Sequence, residues 1–183
     1  MEYFVFEPQF LSNLARHCES GESLPLEIIQ KLNEKNQSIT RNELLHRLFL
    51  GELEQHLFSK FDPSGDVSIM TLQRNYAEKF CPNQVPSKGN IDPLIHLLDS
   101  NVRGKSSVQY RYLWSEVMSA DAFELFQEAM LNNDEVTFKK LGKKFRQCFL
   151  DPGSSISTED AFREFRGRQV NNKALLKRYG LLK

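Results

Sequence analysis

The chain has 183 residues, 40% of them hydrophobic and 26% charged, with a formal net charge of zero, which fits one globular domain. It has no apolar run of the roughly 18 residues that a membrane span requires, so we expect no membrane partner. The N-terminus, MEYFVFEPQF, has two glutamates and no basic residue, which fits neither a secretory signal nor an Arg-rich presequence.

These features favour an intracellular protein, in the cytoplasm, with mitochondria as the alternative compartment. The three cysteines are an odd and widely spaced set: Cys18, Cys81 and Cys148. We expect them to be buried, reduced thiols.

The zero net charge hides an asymmetry. Residues 131–183 carry 12 Lys and Arg against 6 Asp and Glu, whereas residues 1–130 carry 12 against 18. The basic excess centres on KKLGKKFR at 139–146, which could be the footprint of a nucleic-acid partner. Four apolar residues recur through this run at helical spacing: Phe138, Leu141, Phe145 and Phe149. The lysines then fall on the opposite, solvated face, so we expect no nucleic-acid partner.

Helical periodicity, with apolar residues three and four apart, covers nearly the whole chain. In the N-terminal half it predicts helices at 8–21, 24–37, 40–61 and 68–80. The first ends at Gly21, and the second has Pro25 at a helix-start position. The third opens with Thr40 and Glu43, which have the spacing of a capping box.

Residues 81–93 contain three prolines and a glycine and predict a loop. Residues 94–109 are ambiguous, with a brief apolar turn before a polar loop. Further helices are predicted at 110–131, 134–150, 157–167 and 171–180. Ser157 or Thr158 is the expected N-cap of the third of these. No segment predicts a strand, so the expected fold class is all-α.

Catalytic motifs are missing from the chain. It has no His-Glu-x-x-His zinc motif, no GxSxG, no phosphate-binding glycine loop and no EF-hand loop. None of the four histidines has another within four residues: His17, His46, His56 and His96. Each is interpreted as a surface or hydrogen-bonded structural residue. A cluster of aromatic residues remains in QYRYLWSEV: Tyr110, Tyr112 and Trp114.

That cluster carries a family resemblance. YRYLWSEVMSADAFELF at 110–126 resembles the C-terminal part of the zinc oligopeptidases, the family of thimet oligopeptidase, bacterial oligopeptidase A and mitochondrial intermediate peptidase. ARHCESGESLP at 15–25 and FLDPGSSISTEDAFREFRGR at 149–168 resemble further motifs of that family in the same order, and ALLKRYGL resembles its last helix. The resemblance covers residues 1–183 and implies the multi-helix C-terminal part of a zincin-type catalytic domain.

In that family the His-Glu-x-x-His helix and a distal glutamate ligand lie N-terminal to the matched segment. The resemblance therefore implies a fragment or truncated member of a family that hydrolyses peptide bonds in short peptides. Zinc belongs to the full-length family, and none is expected on this chain, which has neither the ligands nor the general base. We expect the chain alone to be inactive and to take short peptide substrates only when the missing half completes it.

The family's loop tyrosines face the zinc and donate to the oxyanion of the scissile peptide. By resemblance, Tyr112 is this donor, while Tyr110 and His96 contact substrate. The alternative for both tyrosines is that their rings are buried where the loop meets the helix, and Trp114 is expected to pack against the helix bundle. Gln109 and Arg111 depart from the family pattern, which has a tyrosine and a small residue there.

A second function is also open. The chain could be a non-enzymatic helical module for protein interaction. Wide apolar helix faces would then mediate binding to a partner or self-association.

Overall fold

The computed structural model describes residues 2–80 and 107–182, with the side chains of all of these but 36–41. These residues form helices and connecting turns and contain no β-strand, only an isolated bridge between Arg16 and Ser23. The predicted all-α class is confirmed for this part of the chain. The helices are α1 (Glu2–Val5), α2 (Pro8–Leu14), α3 (Leu26–Ser59), α4 (Ile69–Phe80), α5 (Tyr110–Leu131), α6 (Glu135–Phe145, continuing as a π-helical turn over Arg146–Leu150), α7 (Thr158–Arg166) and α8 (Lys173–Arg178).

The chain divides into two compact units. Unit 1 comprises Met1–Ser38 and Ser115–Lys183, and unit 2 comprises Ile39–Trp114. The long helices α3 and α5 each contribute residues to both units. No helix within the described ranges has the length and apolar character needed to cross a membrane.

The core of unit 1 is built largely from aromatic rings. Its buried members come from α5, the π-helical turn and α7: Ala122, Phe123, Phe126, Cys148, Phe162 and Phe165. The ring centroids of Phe126 and Phe165 lie 6.1 Å apart, and Phe4 of α1 meets Phe123 edge-on at 4.8 Å. Such offset and edge-to-face pairs add to the stabilisation that burial of the rings provides.

Helix α6 confirms the predicted orientation of the basic run. Phe138, Leu141 and Phe145 pack against the core of unit 1. Four lysines of the same helix are exposed: Lys139, Lys140, Lys143 and Lys144. The basic excess therefore lies on a solvated helix face, as the spacing predicted.

The core of unit 2 is smaller and joins α3 to α4. Its buried residues are Phe49, Leu53, Leu72 and Ala77. Further apolar side chains cover it in part: Leu50, Leu57, Phe61, Tyr76 and Phe80. The last four turns of α3 therefore have one apolar side, on which α4 packs.

Three predicted helix starts are confirmed, each with a side-chain cap, of which the one at Ser157 was predicted. The hydroxyl of Ser68 accepts the N–H of Thr71 at 3.1 Å at the start of α4. Asp134 and Ser157 cap α6 and α7 in the same way, the latter by accepting the N–H of Asp160 at 3.1 Å. The loop predicted over 81–93 lies outside the described residues.

Two predictions for the N-terminal half are wrong. Helices were expected at 24–37 and 40–61, but α3 runs unbroken for 34 residues through the predicted cap at Thr40. No proline or glycine lies between residues 37 and 43, so the polar residues there fit a helix interior. The first helix ends at Leu14, not Gly21, because the chain turns back and the N–H of Leu24 bonds to the carbonyl of Ala15 at 3.1 Å.

The prediction of buried thiols holds for Cys148 and is wrong for Cys18. Cys18 lies in that turn and is exposed. At Cys148 burial, and then the charge of Glu164, raises the pKa of the thiol above its ordinary value. Cys81 lies outside the described residues.

Candidate functional site

The aromatic cluster lies in the first turns of α5 and is exposed. The exposed fractions are 57% for Tyr110, 55% for Tyr112 and 51% for Trp114. The expectation that Trp114 packs against the bundle is therefore wrong, as is the alternative of buried tyrosine rings. The physical reason is that the buried face of α5 begins only at Val117, after the cluster.

Tyr112 has a polar, cationic neighbour. The Nη2 atom of Arg111 donates to the Tyr112 hydroxyl oxygen at 3.1 Å, and its guanidinium carbon lies 4.9 Å from the centre of the Tyr112 ring. A phenol oxygen that accepts this bond keeps its own O–H proton as a donor. Because hydrogen bonds in a chain polarise one another, the bond from Arg111 strengthens one that the phenol donates.

The start of α5 is held by a buried carboxylate from α3. Glu54 has an exposed fraction of 0%. It accepts the backbone N–H of Ser107 at 3.0 Å and of Gln109 at 2.7 Å. Its neighbour Gln55 donates from Nε2 to the carbonyl oxygen of Ser107 at 3.1 Å. A carboxylate at this end of a helix accepts hydrogen bonds from amides that have no partner within the helix. Its negative charge also interacts favourably with the positive end of the helix dipole.

Sequence reasoning missed both Glu54 and Gln55. Glu54 lies on the apolar stripe of α3, beside Leu50, Leu53 and Leu57. A charged residue on such a stripe indicates a buried partner, which is the signal that was available. The partner itself could not be named, because Gln109 is 55 residues further along the chain.

A cavity of about 310 Å³ lies beside the cluster, within unit 2. Its walls come from α3, α4 and the start of α5, and Tyr110 is part of the lining, whereas Tyr112 is not. At one wall, Nδ1 of His56 and the hydroxyl of Tyr76 are hydrogen-bonded at 3.0 Å. The structure thus brings Tyr110 together with His56 and Tyr76, a grouping that the sequence did not predict.

The remaining predicted site residue, His96, lies outside the described residues. The other histidines have the structural roles that were expected. Nδ1 of His17 accepts the N–H of Ser20 at 3.1 Å, His46 is exposed beside Phe49, and His56 bonds to Tyr76.

The described residues do not fit a zinc site. Zinc in catalytic sites is held by three protein ligands drawn from His, Cys, Asp and Glu. Within residues 2–80 and 107–182, no group of three such side chains is close enough together to hold a metal ion.

Unit 1 contains a buried ionic cluster on the same helix, α5. Asp121 has an exposed fraction of 0% and accepts from Nε of Arg166 at 3.0 Å, from Nη1 of Arg168 at 2.7 Å and from the N–H of Asn171 at 2.9 Å. Glu124, one turn later, bonds to the Arg166 guanidinium and to Nζ of Lys177 at 3.3 Å. The cluster ties α7 and the segment after it to α5.

Burial disfavours the charge of Asp121, but the hydrogen bonds outweigh burial. Those from Arg168, Asn171 and Arg166 lower the pKa of Asp121 below its ordinary value. Arg166 and Arg168 belong to the FRGR end of the motif quoted above. That motif therefore has a structural role in this chain, which periodicity alone did not reveal.

Comparison with known proteins gives a consistent result. The sequence model of peptidase family M3 matches residues 1–181. Organellar oligopeptidase A, chloroplastic/mitochondrial, of Arabidopsis thaliana is 31% identical over 182 residues, which are 100% of this chain and 23% of the relative. Oligopeptidase A of Escherichia coli (strain K12) is 29% identical over 181 residues, which are 99% of this chain and 26% of the relative. Dipeptidyl carboxypeptidase of the same organism is 26% identical over 183 residues, 98% of this chain and 26% of the relative. The chain thus spans about a quarter of the length of the curated relatives it matches.

Proposed function

The chain belongs to peptidase family M3, and on that premise we propose that it supplies the C-terminal part of an oligopeptidase catalytic domain that hydrolyses short peptides. The contribution assigned to this chain is contact with the substrate. Tyr112 donates a hydrogen bond to the reacting carbonyl, and Tyr110 contacts the peptide beside it.

The observation that carries the proposal is the exposure of Tyr112 at a fixed position. Its ring is 55% exposed, so a peptide can reach the hydroxyl. The helix turn that bears it starts at amides held by the buried Glu54. A donor that is both accessible and anchored is what stabilisation of an oxyanion requires, because no reorganisation is then needed during the reaction.

The chemical role follows from the reaction. When water adds to a peptide carbonyl, the carbonyl oxygen becomes an oxyanion. A neutral phenol can donate to this oxygen more strongly than to the uncharged carbonyl, which lowers the barrier. Arg111, bonded to the same phenol at 3.1 Å, favours that donation.

The described residues do not fit the zinc that the family uses. We therefore expect the isolated chain to bind no zinc tightly and to hydrolyse no peptide. Equilibrium dialysis that finds one tightly bound zinc per chain would contradict this part of the proposal.

The proposed compartment is intracellular, with the cytoplasm favoured. The names of two relatives from Arabidopsis thaliana include one organellar and one probable cytosolic oligopeptidase A.

A second candidate function is self-association of a helical module. It is favoured by apolar side chains on the solvent side of α2 and α3, with exposed fractions of 64% at Leu14, 60% at Leu26 and 45% at both Ile28 and Leu32. The proposed partner is a second copy of the chain. Sedimentation that shows a monomer across a wide concentration range would rule it out.

The test of the main proposal is a chimera. Residues 1–181 replace the matching segment of Escherichia coli oligopeptidase A, and hydrolysis of a quenched fluorescent peptide is measured. Tyr112→Phe keeps the ring and removes the O–H. We expect kcat to fall by about 10²–10³ with little change in KM, since one oxyanion donor is lost. Tyr110→Phe is expected to act mainly on KM.

Tyr3→Phe is the matched control, because Tyr3 packs in the core of unit 1 and should leave both constants unchanged. An active chimera in which Tyr112→Phe has the turnover of the parent would show that Tyr112 has no part in the reaction.

A further inference from the structure

The cavity in unit 2 has the volume of a small-ligand site. With about 310 Å³ it lies at the lower end of the range for small-molecule pockets, roughly 300–1,000 Å³. Its floor is formed by one face of α3, from Arg47 to Ser59, and by Lys60 directly after the helix. Tyr76 of α4 and Tyr110 of α5 form the sides.

The floor contains a glycine that packing does not require. Gly51 lies in the interior of α3, where glycine costs about 1 kcal/mol relative to alanine. A Cβ atom placed there would meet only the backbone nitrogen of Tyr110, at 4.0 Å, which is ordinary van der Waals contact. Alanine would therefore fit, and the helix would gain stability. What the missing side chain provides is depth in the cavity.

The lining combines apolar surface with cationic and hydrogen-bonding groups. Leu48 and Leu113 supply the apolar part. Among the described residues, the lining has two cations, Arg47 and Lys60, against one carboxylate, Glu52. Arg47 lies 3.9 Å from the carboxylate of Glu43, and Glu52 lies 3.7 Å from Nζ of Lys79, so these outer partners offset each other. The cavity therefore favours an anion over a cation.

His56 and Tyr76 add a polar wall. Nδ1 of His56 is occupied by the hydroxyl of Tyr76 at 3.0 Å. In the tautomer in which Tyr76 donates this bond, Nε2 of His56 carries a proton, which it can offer to an anionic ligand. An aromatic ring pair with one such donor suits a ligand that is apolar at one end and charged at the other.

We propose that this cavity binds a small apolar carboxylate, with the carboxylate toward Lys60 and His56 and the apolar group against Leu48, Leu113 and the open floor at Gly51. The chemistry is shared by the C-terminal residue of a peptide and by a free aliphatic acid. The proposal goes beyond the peptidase role, because it concerns binding by the chain itself and needs no hydrolysis.

The test uses the ¹⁵N-labelled full chain and three probes: 4-methylpentanoate, N-acetyl-leucine and N-acetyl-leucinamide. The two carboxylates are expected to shift the amide resonances of Gly51, His56 and Tyr110 in a saturable way, with millimolar dissociation constants. The amide should bind at least about tenfold more weakly, since it lacks the charge that strengthens the hydrogen bonds. Tighter binding of N-acetyl-leucine than of 4-methylpentanoate would identify a peptide C-terminus, and equal binding a free acid.

Variants distinguish binding in the cavity from nonspecific attraction of the anion to surface lysines. Lys60→Met should weaken binding of both carboxylates about tenfold, whereas Lys143→Met, at an exposed lysine of α6, should leave it unchanged. Gly51→Ala should raise the thermal midpoint and weaken binding, and Gly51→Leu should abolish binding. Equal affinity for the amide, or a folded Gly51→Leu variant that binds like the parent, would overturn the proposal. So would the absence of saturable shifts for either carboxylate.

Discussion

The start of α5 and its middle differ in how far their side chains are buried. At its start, two tyrosines and a tryptophan are more than half exposed. Further along, the carboxylate of Asp121 has no exposure at all. Ordinary burial preferences predict the reverse, with aromatic rings inside and a carboxylate in water. The difference teaches what each stretch is available for: the exposed aromatic rings are open to the peptide contact proposed above, and the carboxylate holds the unit together.

The buried carboxylate is tolerated because both of its oxygens accept hydrogen bonds. Two arginines and a backbone N–H point to Asp121. Removing one member of such a cluster leaves the others buried and unpaired, which costs more than the cluster contributes relative to apolar packing. The tyrosines at the start of α5 are more than half exposed, so mutations should distinguish the two stretches.

The largest effect is expected at Asp121. Asp121→Asn keeps the size of the side chain and removes the charge that Arg166 and Arg168 face. We expect the free energy of unfolding to fall by about 3–5 kcal/mol, measured by urea denaturation. The control is Glu159→Gln, since Glu159 is paired with Arg163 on the surface, and its loss should cost about 1 kcal/mol or less. If Asp121→Asn lowers the free energy of unfolding no more than Glu159→Gln does, the buried carboxylate is no more important to stability than a surface one.

The next effect is expected at Glu54, a buried carboxylate that bonds to the amides before the exposed start of α5. Glu54→Gln keeps one acceptor oxygen and loses the charge, so the free energy of unfolding should fall by about 2 kcal/mol. Hydrogen exchange should also become faster at the amides of Ser107 and Gln109.

Glu52→Gln is the matched control for Glu54. It lies on the exposed side of the same helix and should change stability by less than about 1 kcal/mol. Unchanged exchange at Gln109 in Glu54→Gln would show that the carboxylate does not hold the start of α5.

The pH dependence of the free energy of unfolding gives a further test of the buried carboxylate. The folded-state pKa of Asp121 is lowered, so its stabilisation is present above the unfolded value of about 3.9 and is lost as the pH falls through the folded pKa. The difference in unfolding free energy between the parent and Asp121→Asn should therefore shrink on going from neutral to acid pH. The slope for one carboxylate is at most about 1.4 kcal/mol per pH unit.

Ionisation of Glu7 changes stability with pH in the opposite direction from that of Asp121. Burial raises its pKa, against the lowering by Arg178 and Gln127. Its contribution is therefore present at acid pH and is lost as the pH rises through its folded pKa. Because Glu7 is common to both proteins, it cancels in the difference. A difference that stays constant with pH would show that the pKa of Asp121 is not lowered by its partners.

The smallest effect on stability is expected at Tyr112. Tyr112→Phe removes a hydroxyl from a ring that is 55% exposed, so the free energy of unfolding should change by about 1 kcal/mol or less. Thermal denaturation of the isolated chain measures this without any reconstituted activity. A loss as large as that of Asp121→Asn would make Tyr112 a structural residue and remove the contrast between the two stretches.

The sequence determined much of the local structure by itself. Apolar spacing predicted α4, α5, α6 and α7 closely, and the cap of α7 was predicted at Ser157, because a helix end depends on a few neighbouring residues. The same spacing placed the lysines of α6 in solvent. The family motifs also lie in the sequence, and the match over residues 1–181 confirms the family.

Only the tertiary structure decided which of these residues are buried, paired or open. The continuity of α3 was missed because a capping pattern at Thr40 is equally compatible with a helix interior, and packing chooses between them. The partners of Glu54 and Asp121 lie about fifty residues away along the chain, beyond the reach of periodicity. The exposure of Tyr112 follows from where the buried face of α5 begins. That position depends on which elements pack against the helix, a non-local property that the identity of the residues does not contain.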